Sequence, residues 1–544
     1  MSATETAAVS SRDAVLDEAH IGDIRGALGT IRHGDVAPRE TWRARARTLF
    51  AILGPGLIVM VGDNDAGAFG TYTQAAQTYG TSLLWTLVLL IPVLYVNREM
   101  VLRLGAVTGV GHARLIFERI GKFWGAFSVI DLFLLNALTI VTEFIGITLA
   151  LGYLGLSKEL GVIAAAGIII AAAGTGDFRR FERFALLLVF GSFLLVPVAL
   201  WVHPPWPQIA HDLVVPQFPA GAKLSDLMLL IIAIVGTTVA PWQLFFQQSY
   251  VIDKRITPRF IRYERVDLWI GIAVVMVGAI AMMVFTAATF AGRPEFGNFQ
   301  DAGAVAAGLE KYAGRLPGIF FAIALLDACV MGAIAVSLST AYALGDVLSL
   351  RHSLHRKPKD AKAFYAIYGG LIVLAAALVL NPGTPLGLLT SAVQTLAGVL
   401  LPSATVFLLL LCNDKSVLGP WVNGVRLNLF TGAVIAVLVM LSLILTASVL
   451  YPDIGERTIL GILGGGAAIA ILTAASFFVR RRHTPIAAID RADKETWRMP
   501  PLAELAAAPM TALTRIWMFV LRGYLVVAGG LVLVRIIQLA TSQG

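Results

Sequence analysis

Gly54-Pro55-Gly56-Leu57-Ile58-Val59-Met60-Val61-Gly62-Asp63-Asn64-Asp65-Ala66-Gly67-Ala68 decides how the rest of the chain reads. It is an apolar run with glycine and proline at its start and two carboxylates at its centre. A charge at that depth in a membrane helix costs at least ~2.5–3.5 kcal/mol on insertion scales. Irregular backbone at membrane depth is tolerated only where it lines a cavity or is buried in protein. A second interruption, Val235-Gly236-Thr237-Thr238-Val239-Ala240-Pro241-Trp242-Gln243, places a proline, which has no backbone donor, inside another apolar run. Outward from these two, apolar segments run over 49–78, 82–107, 122–154, 160–175, 184–202, 225–251, 266–291, 316–349, 363–380, 386–412, 425–451 and 457–479. The interrupted segments are the first and the sixth. That spacing predicts an inverted repeat of helices 1–5 and 6–10, with the substrate site at the two breaks.

The composition agrees. Of the 544 residues 57% are hydrophobic and 14% charged, with a mean hydropathy of +0.79. Soluble domains carry about 25% charged residues, so several water-facing domains are excluded. The expected architecture is an all-α polytopic membrane protein: a flexible cytoplasmic tail over 1–47, a transporter domain of about twelve helices over 48–480, and a C-terminal segment over 481–544. Two or three helices follow the repeat, the last candidate being a stretch at 516–540 interrupted by Arg522 and Arg535. With the N-terminus inside, the inner segments hold 31 Lys and Arg and the outer loops six. That asymmetry, rather than affinity for nucleic acid, accounts for a net charge of +8. The polar N-terminus, with seven arginines, is expected to be cytoplasmic and not a cleaved signal peptide. Cys329 and Cys412 both lie in apolar segments, which leaves no disulfide framework.

Other ionisable groups fall in the apolar segments. Glu143 has no basic residue within a helical turn, so it is a candidate cation contact, the alternative being a hydrogen-bonded structural acid. Glu99 and Arg103, four apart, read as a local ion pair. Asp131 and Asp327 are weaker candidates. Gln394 is either an interhelical hydrogen bonder or an oxygen ligand. The eight histidines fall in tails, loops or helix edges, and no nucleotide-binding, hydrolase or zinc motif occurs. No enzymatic activity and no cofactor is therefore expected.

Taken in order, these residues resemble the NRAMP divalent-metal transporters. Gly54-Pro55-Gly56 followed by Gly62-x-x-Asp65-x-Gly67 is similar to that family's first helix, whose signature is Asp-Pro-Gly-Asn. Arg103 to Gly109 resembles the inner end of its second helix, and Glu143-Phe144-Ile145-Gly146 its third. Ala240-Pro241-Trp242 falls where the family carries Met-Pro-His. Gln394, Leu401-Pro402 and Asn413-Asp414-Lys415 resemble its tenth helix and the loop after it. The departures are specific: Ala66 and Ala68 replace Pro and Asn of the signature, Ala240 the methionine, Trp242 and Gln247 the helix-six histidines, and Ile140 the helix-three aspartate of the proton route. They look like the NRAMP-related magnesium transporters.

The resemblance implies a leucine-transporter-like fold and alternating access around a midplane cation site. Its candidate ligands are Asp65, Glu143 and Gln394, the carbonyls at Thr237 and Ala240, and Asp63 as a further acid. An all-oxygen set suits Mg²⁺ and Mn²⁺, and alanines around it leave room for retained water. The expected function is secondary transport of Mg²⁺, admitting Mn²⁺, without proton coupling. The alternatives are a proton-coupled Mn²⁺ or Fe²⁺ transporter, a Na⁺-coupled organic-solute symporter, and a non-transporting membrane sensor. The metal ion and the lipid bilayer are the expected partners, with no nucleic acid and no obligate protein partner. The expected location is a bacterial inner membrane.

Overall fold

A computed structural model describes residues 17–219, 221–381, 386–451, 454–482 and 494–505, with isolated positions from 508 onwards. A hairpin, β1 (Ile24–Gly26) and β2 (Gly29–Ile31), precedes α1 (Trp42–Ile52), α2 (Pro55–Val61), α3 (Ala66–Tyr79), α4 (Leu84–Thr108), α5 (Lys122–Tyr153) and α6 (Lys158–Ala173). The chain continues through α7 (Phe178–Gly191), α8 (Leu195–Trp201), α9 (Leu224–Thr238), α10 (Pro241–Asp253), α11 (Ile261–Phe290) and α12 (Ala302–Ala313). It closes with α13 (Arg315–Val347), α14 (Lys362–Leu380), α15 (Leu386–Asn413), α16 (Val425–Leu450) and α17 (Glu456–Arg482). Every expected apolar segment coincides with a helix or a broken pair. Among the described residues, eight spans are long and apolar enough to cross a membrane by themselves, counting joined pieces such as Phe178–Trp201 as one. The fourth segment misses that mark because α6 has only 16 residues.

Both expected breaks are present. Helix one stops at Val61 and restarts at Ala66, where the extended Asp65 caps α3 by accepting from Ala68 N–H at 2.9 Å. Helix six stops at Thr238 and restarts at Pro241. Proline sterically excludes the helical conformation from the residue before it, and Ala240 is extended at φ −77°, ψ 141°. Because Pro241 has no N–H, the Thr237 carbonyl loses its helical donor.

The flexible tail expected over 1–47 is corrected for the described part: residues 17–47 are folded against the loops at the N-terminal side. Basic residues hold this segment by its carbonyls, Arg179 and Arg183 from the start of α7 at Gly26 and Ala27, and Arg255 from the loop after α10 at Ala19 and Asp23 just before the hairpin. Ala27 N–H donates to Glu182 Oε2 at 2.5 Å. These arginines therefore bond protein carbonyls as well as setting charge asymmetry, which composition alone does not reveal. Residues 1–16 and most of 516–540 lie outside the described residues. Within 481–544, Trp421 Nε1 donates to the Lys494 carbonyl at 2.7 Å, which docks that segment against the loop after α15.

Candidate metal site

The breaks meet beside α5. Glu143 Oε2 accepts from Ala66 N–H at 3.1 Å, so the α5 carboxyl caps α3 jointly with Asp65. The carboxyl groups of Asp65 and Glu143 are thereby neighbours at the start of α3, each accepting a backbone N–H of its first turn. Two buried carboxyl groups so placed are stable only with a proton or a cation between them, because bare like charges repel in a low-dielectric interior. Glu143 is 0% exposed, and its Oε1 has no hydrogen-bond partner among the described residues.

Glycines make this approach possible. A Cβ on Gly332 of α13 would lie 2.8 Å from the Glu143 carboxyl carbon. One on Gly146 would lie 2.4 Å from Cys329 Sγ and 3.0 Å from the Ala66 Cβ. Tyr72 Oη and Thr238 Oγ1, 2.7 Å apart, staple α3 to α9, and Ser339 holds the Trp242 carbonyl at 2.8 Å. Asn64 Nδ2 donates to the Val275 carbonyl at 3.2 Å and pins the first break to α11.

Of the residues singled out in the sequence, Asp65 and Glu143 are brought together. Thr237 and Ala240 occupy the second break, both buried, and the Ala240 carbonyl also accepts from Gln243 N–H at 3.3 Å. Asp63 sits in the first break, but its carboxylate bonds to none of the described residues. Gln394 lies within α15, and its side chain is outside the described residues. Glu99 and Arg103 pair at 3.2 Å as expected, and Glu99 also takes Arg265 at 2.6 Å. Asp327 points at Gly191 of the helix-five kink and is not part of the site. No cage of three or more His, Cys, Asp or Glu side chains exists among the described residues, so carbonyls or water must complete any coordination.

Three contributors escaped sequence reasoning. Cys329 lies against the Glu143 carboxyl, so the surroundings are not purely oxygen. Arg98 is fully buried in α4, with none of its guanidinium nitrogens bonded to a described residue. Asp267 of α11 caps α2 from another helix, accepting from Gly54 and Gly56 N–H at 3.1 and 2.6 Å. A charge inside an apolar segment is the signal that could have drawn attention to Arg98.

A cavity of about 680 Å³ leads from Ala66, Gly67 and Gly146 along α3 and α9 to Asp226 and Asp301, on the face opposite the N-terminal hairpin. On the hairpin side, Lys254 Nζ bonds to Glu182 at 2.6 Å and to the Ile52 and Leu53 carbonyls at 2.6 and 2.9 Å. Two broken helices whose breaks meet beside α5, with a cavity opening on one side, define a multi-pass membrane protein of the leucine-transporter-like fold.

Crystal structures of the manganese transporter from Eremococcus coleocola share this fold: one matches with a TM-score of 0.62 at 20% identity, covering 85% of this chain and 99% of that one. Among curated relatives, the divalent metal cation transporter MntH of Ralstonia nicotianae is 29% identical over 70% of this chain and 86% of its own. MntH 1 of Pseudomonas aeruginosa is 30% identical over 55% and 69%. The family model "Natural resistance-associated macrophage protein-like" matches residues 56–448. The chain belongs to this Nramp family, whose members are membrane metal transporters and not enzymes.

Proposed function

We propose that this chain moves divalent metal cations across a membrane by alternating access, with Mg²⁺ as the principal cargo and Mn²⁺ admitted, the ion partly hydrated and uncoupled from protons. The observation that carries the reading is that Asp65 and Glu143 converge on the start of α3 at the first break, accepting from Ala68 and Ala66 N–H, in a setting where position 240 is alanine. Two carboxylates supply the charge a divalent ion needs. The carbonyls of Thr237 and Ala240, with Gln394 from α15, supply neutral oxygen. Ala66, Ala68 and Ala240 leave space for water that Mg²⁺ gives up reluctantly. We infer further that the N-terminus is cytoplasmic in a bacterial inner membrane, which the distribution of basic residues supports.

The test is uptake by purified protein in liposomes, with Mg²⁺, Mn²⁺ and Cd²⁺ offered alone and in competition. Mg²⁺ should enter and compete at concentrations comparable to Mn²⁺. Strong preference for Cd²⁺ over Mg²⁺ rejects the hydrated-ion reading. The Cys329 thiol near Glu143 favours a second reading, a preference for softer divalent ions over Mg²⁺, which predicts that Mg²⁺ neither enters nor competes.

A further inference from the structure

The segment 17–37, hairpin included, ties the two halves of the repeat together on one side of the molecule. Gly26 and Gly29 lie directly on Ala51 of α1, which leads into the first broken helix. Arg179, Glu182 and Arg183 hold the segment from α7. From the second half come Arg255 and Arg259, between α10 and α11, and Arg356, between α13 and α14. Rocking of one half against the other would pull on these bonds, so the docked segment resists opening on its side.

Its pin is His20, 6% exposed, whose two ring nitrogens each face a carboxylate. Nδ1 lies 3.0 Å from Asp17 Oδ1 and Nε2 3.7 Å from Asp253 Oδ1. A second buried ring, His352, lies 5.5 Å away between centroids. It too has an oxygen at each nitrogen, Asp346 Oδ1 at 3.0 Å and the Leu350 carbonyl at 2.7 Å. A neutral imidazole has one N–H and leaves one of its two oxygens without a donor, whereas the imidazolium serves both. Asp253 is fixed in place by Tyr342 Oη at 2.6 Å, Ser353 Oγ at 2.5 Å and Leu354 N–H at 2.8 Å.

The charges agree. Arg356, which reaches Asp17 at 3.2 Å, balances Asp17, Asp253 and Asp346 only when both rings are protonated. Glu18 and Arg255 add one charge of each sign at the rim. The other two rings nearby are neutral at neutral pH: burial pushes His112 down to about 4 and holds His355 below the ordinary imidazole value. His352 goes the other way, because burial opposes its charge but the Asp346 carboxylate outweighs that. A proton held in this way stabilises the docked state fully below the ordinary imidazole value, and the effect is lost as pH rises through the raised one.

We propose that residues 17–37 form a proton-sensitive latch: with His20 and His352 protonated the segment is pinned and the hairpin side stays closed, and with both neutral it lifts and the cation leaves faster. The latch senses the compartment on the hairpin side, the cytoplasm in the orientation proposed above. It rests on the alternating-access reading given there.

The experiment follows the segment with Ile31→Cys, at a position 5% exposed, and takes Val36→Cys, at 79%, as the reference for intrinsic thiol reactivity. The native Cys329 and Cys412 are both buried. Maleimide labelling at position 31 relative to position 36 should be at least about threefold faster at about pH 8 than at about pH 6. Adding His20→Gln, a change outside the helices, should give fast labelling at both. Mn²⁺ uptake by proteoliposomes with equal pH on both sides should be at least about twofold faster in His20→Gln than in wild type at about pH 6, and equal at about pH 8. A labelling ratio that does not change with pH, or a pH dependence that survives in His20→Gln, overturns the latch. So does release of the segment with no change in uptake rate. If His20→Gln does not elute as a folded species, Arg356→Gln decides: it removes a partner of Asp17, and labelling no faster than wild type at about pH 6 overturns the proposal. Absence of uptake by the wild type removes the transport reading instead, and the labelling still decides whether protonation pins the segment.

Discussion

At the scale of single residues, Asp65 and Glu143 were legible because a carboxylate in an apolar run is too costly to be idle. What one sequence could not give is their common neighbour. Cys329 reaches Glu143 only because Gly146 and Gly332 let α3, α5 and α13 close up, and that proximity has no periodicity to read. If the two acids hold the cation, Asp65→Ala and Glu143→Gln should each abolish uptake while the protein still elutes as a folded species. Glu143→Gln keeps the side-chain shape, so retention of wild-type rate in that variant would remove Glu143 from the site. Selectivity is a second matter for single residues. Ala240→Met brings a thioether to the second break and should shift relative affinity toward Cd²⁺, since soft ligands favour soft ions. Cys329→Ser should leave the ratio of Cd²⁺ to Mn²⁺ unchanged if the thiol only abuts the carboxyl. A fall in Cd²⁺ affinity in that variant would make Cys329 a ligand.

The helices themselves were largely written in the apolar segments, and the two breaks in Gly62, Asp63, Asp65 and Pro241. Their supports were not, because they come from other elements. Asp267, the tenth residue of the helical run that starts at Pro258, reaches across to α2 and takes Gly54, Gly56 and Leu57 N–H. A helix start has unpaired donors and favours a negative charge, but nothing in the spacing says that the charge arrives from α11. The N-terminal segment went unread for the same reason: its partners are charged residues far along the chain, at the start of α7 and in the loop after α10. Asp267→Ala should therefore lower thermal stability in detergent by a few °C or more, since each charged hydrogen bond contributes about 1.5–3 kcal/mol. Asp226→Ala, at an exposed position, is the control and should leave the melting temperature in place. Equal melting curves for both variants would show that the α2 start needs no cap from α11.

For the molecule as a whole, the question is what drives the cation. Coupling to protons needs titratable groups in sequence from the site to the far side, and the positions where the resemblance places them are Ile140, Trp242 and Gln247, all buried and none able to carry a proton at neutral pH. We predict that the membrane potential alone suffices. An inside-negative potential contributes about 2.3 kcal/mol per elementary charge per 100 mV, hence about 4.6 kcal/mol for a divalent ion. Proteoliposomes with a potassium diffusion potential should then accumulate Mg²⁺ or Mn²⁺ in proportion to the imposed voltage, and uptake should stop when the potential is collapsed at equal metal concentration on both sides. A pH-sensitive dye trapped inside should stay constant during uptake. Acidification that tracks metal entry, or accumulation driven by a pH gradient at zero potential, overturns uncoupled transport. Asp327 would then be the residue to neutralise first, because it is an acid within α13 with one oxygen buried and unbonded.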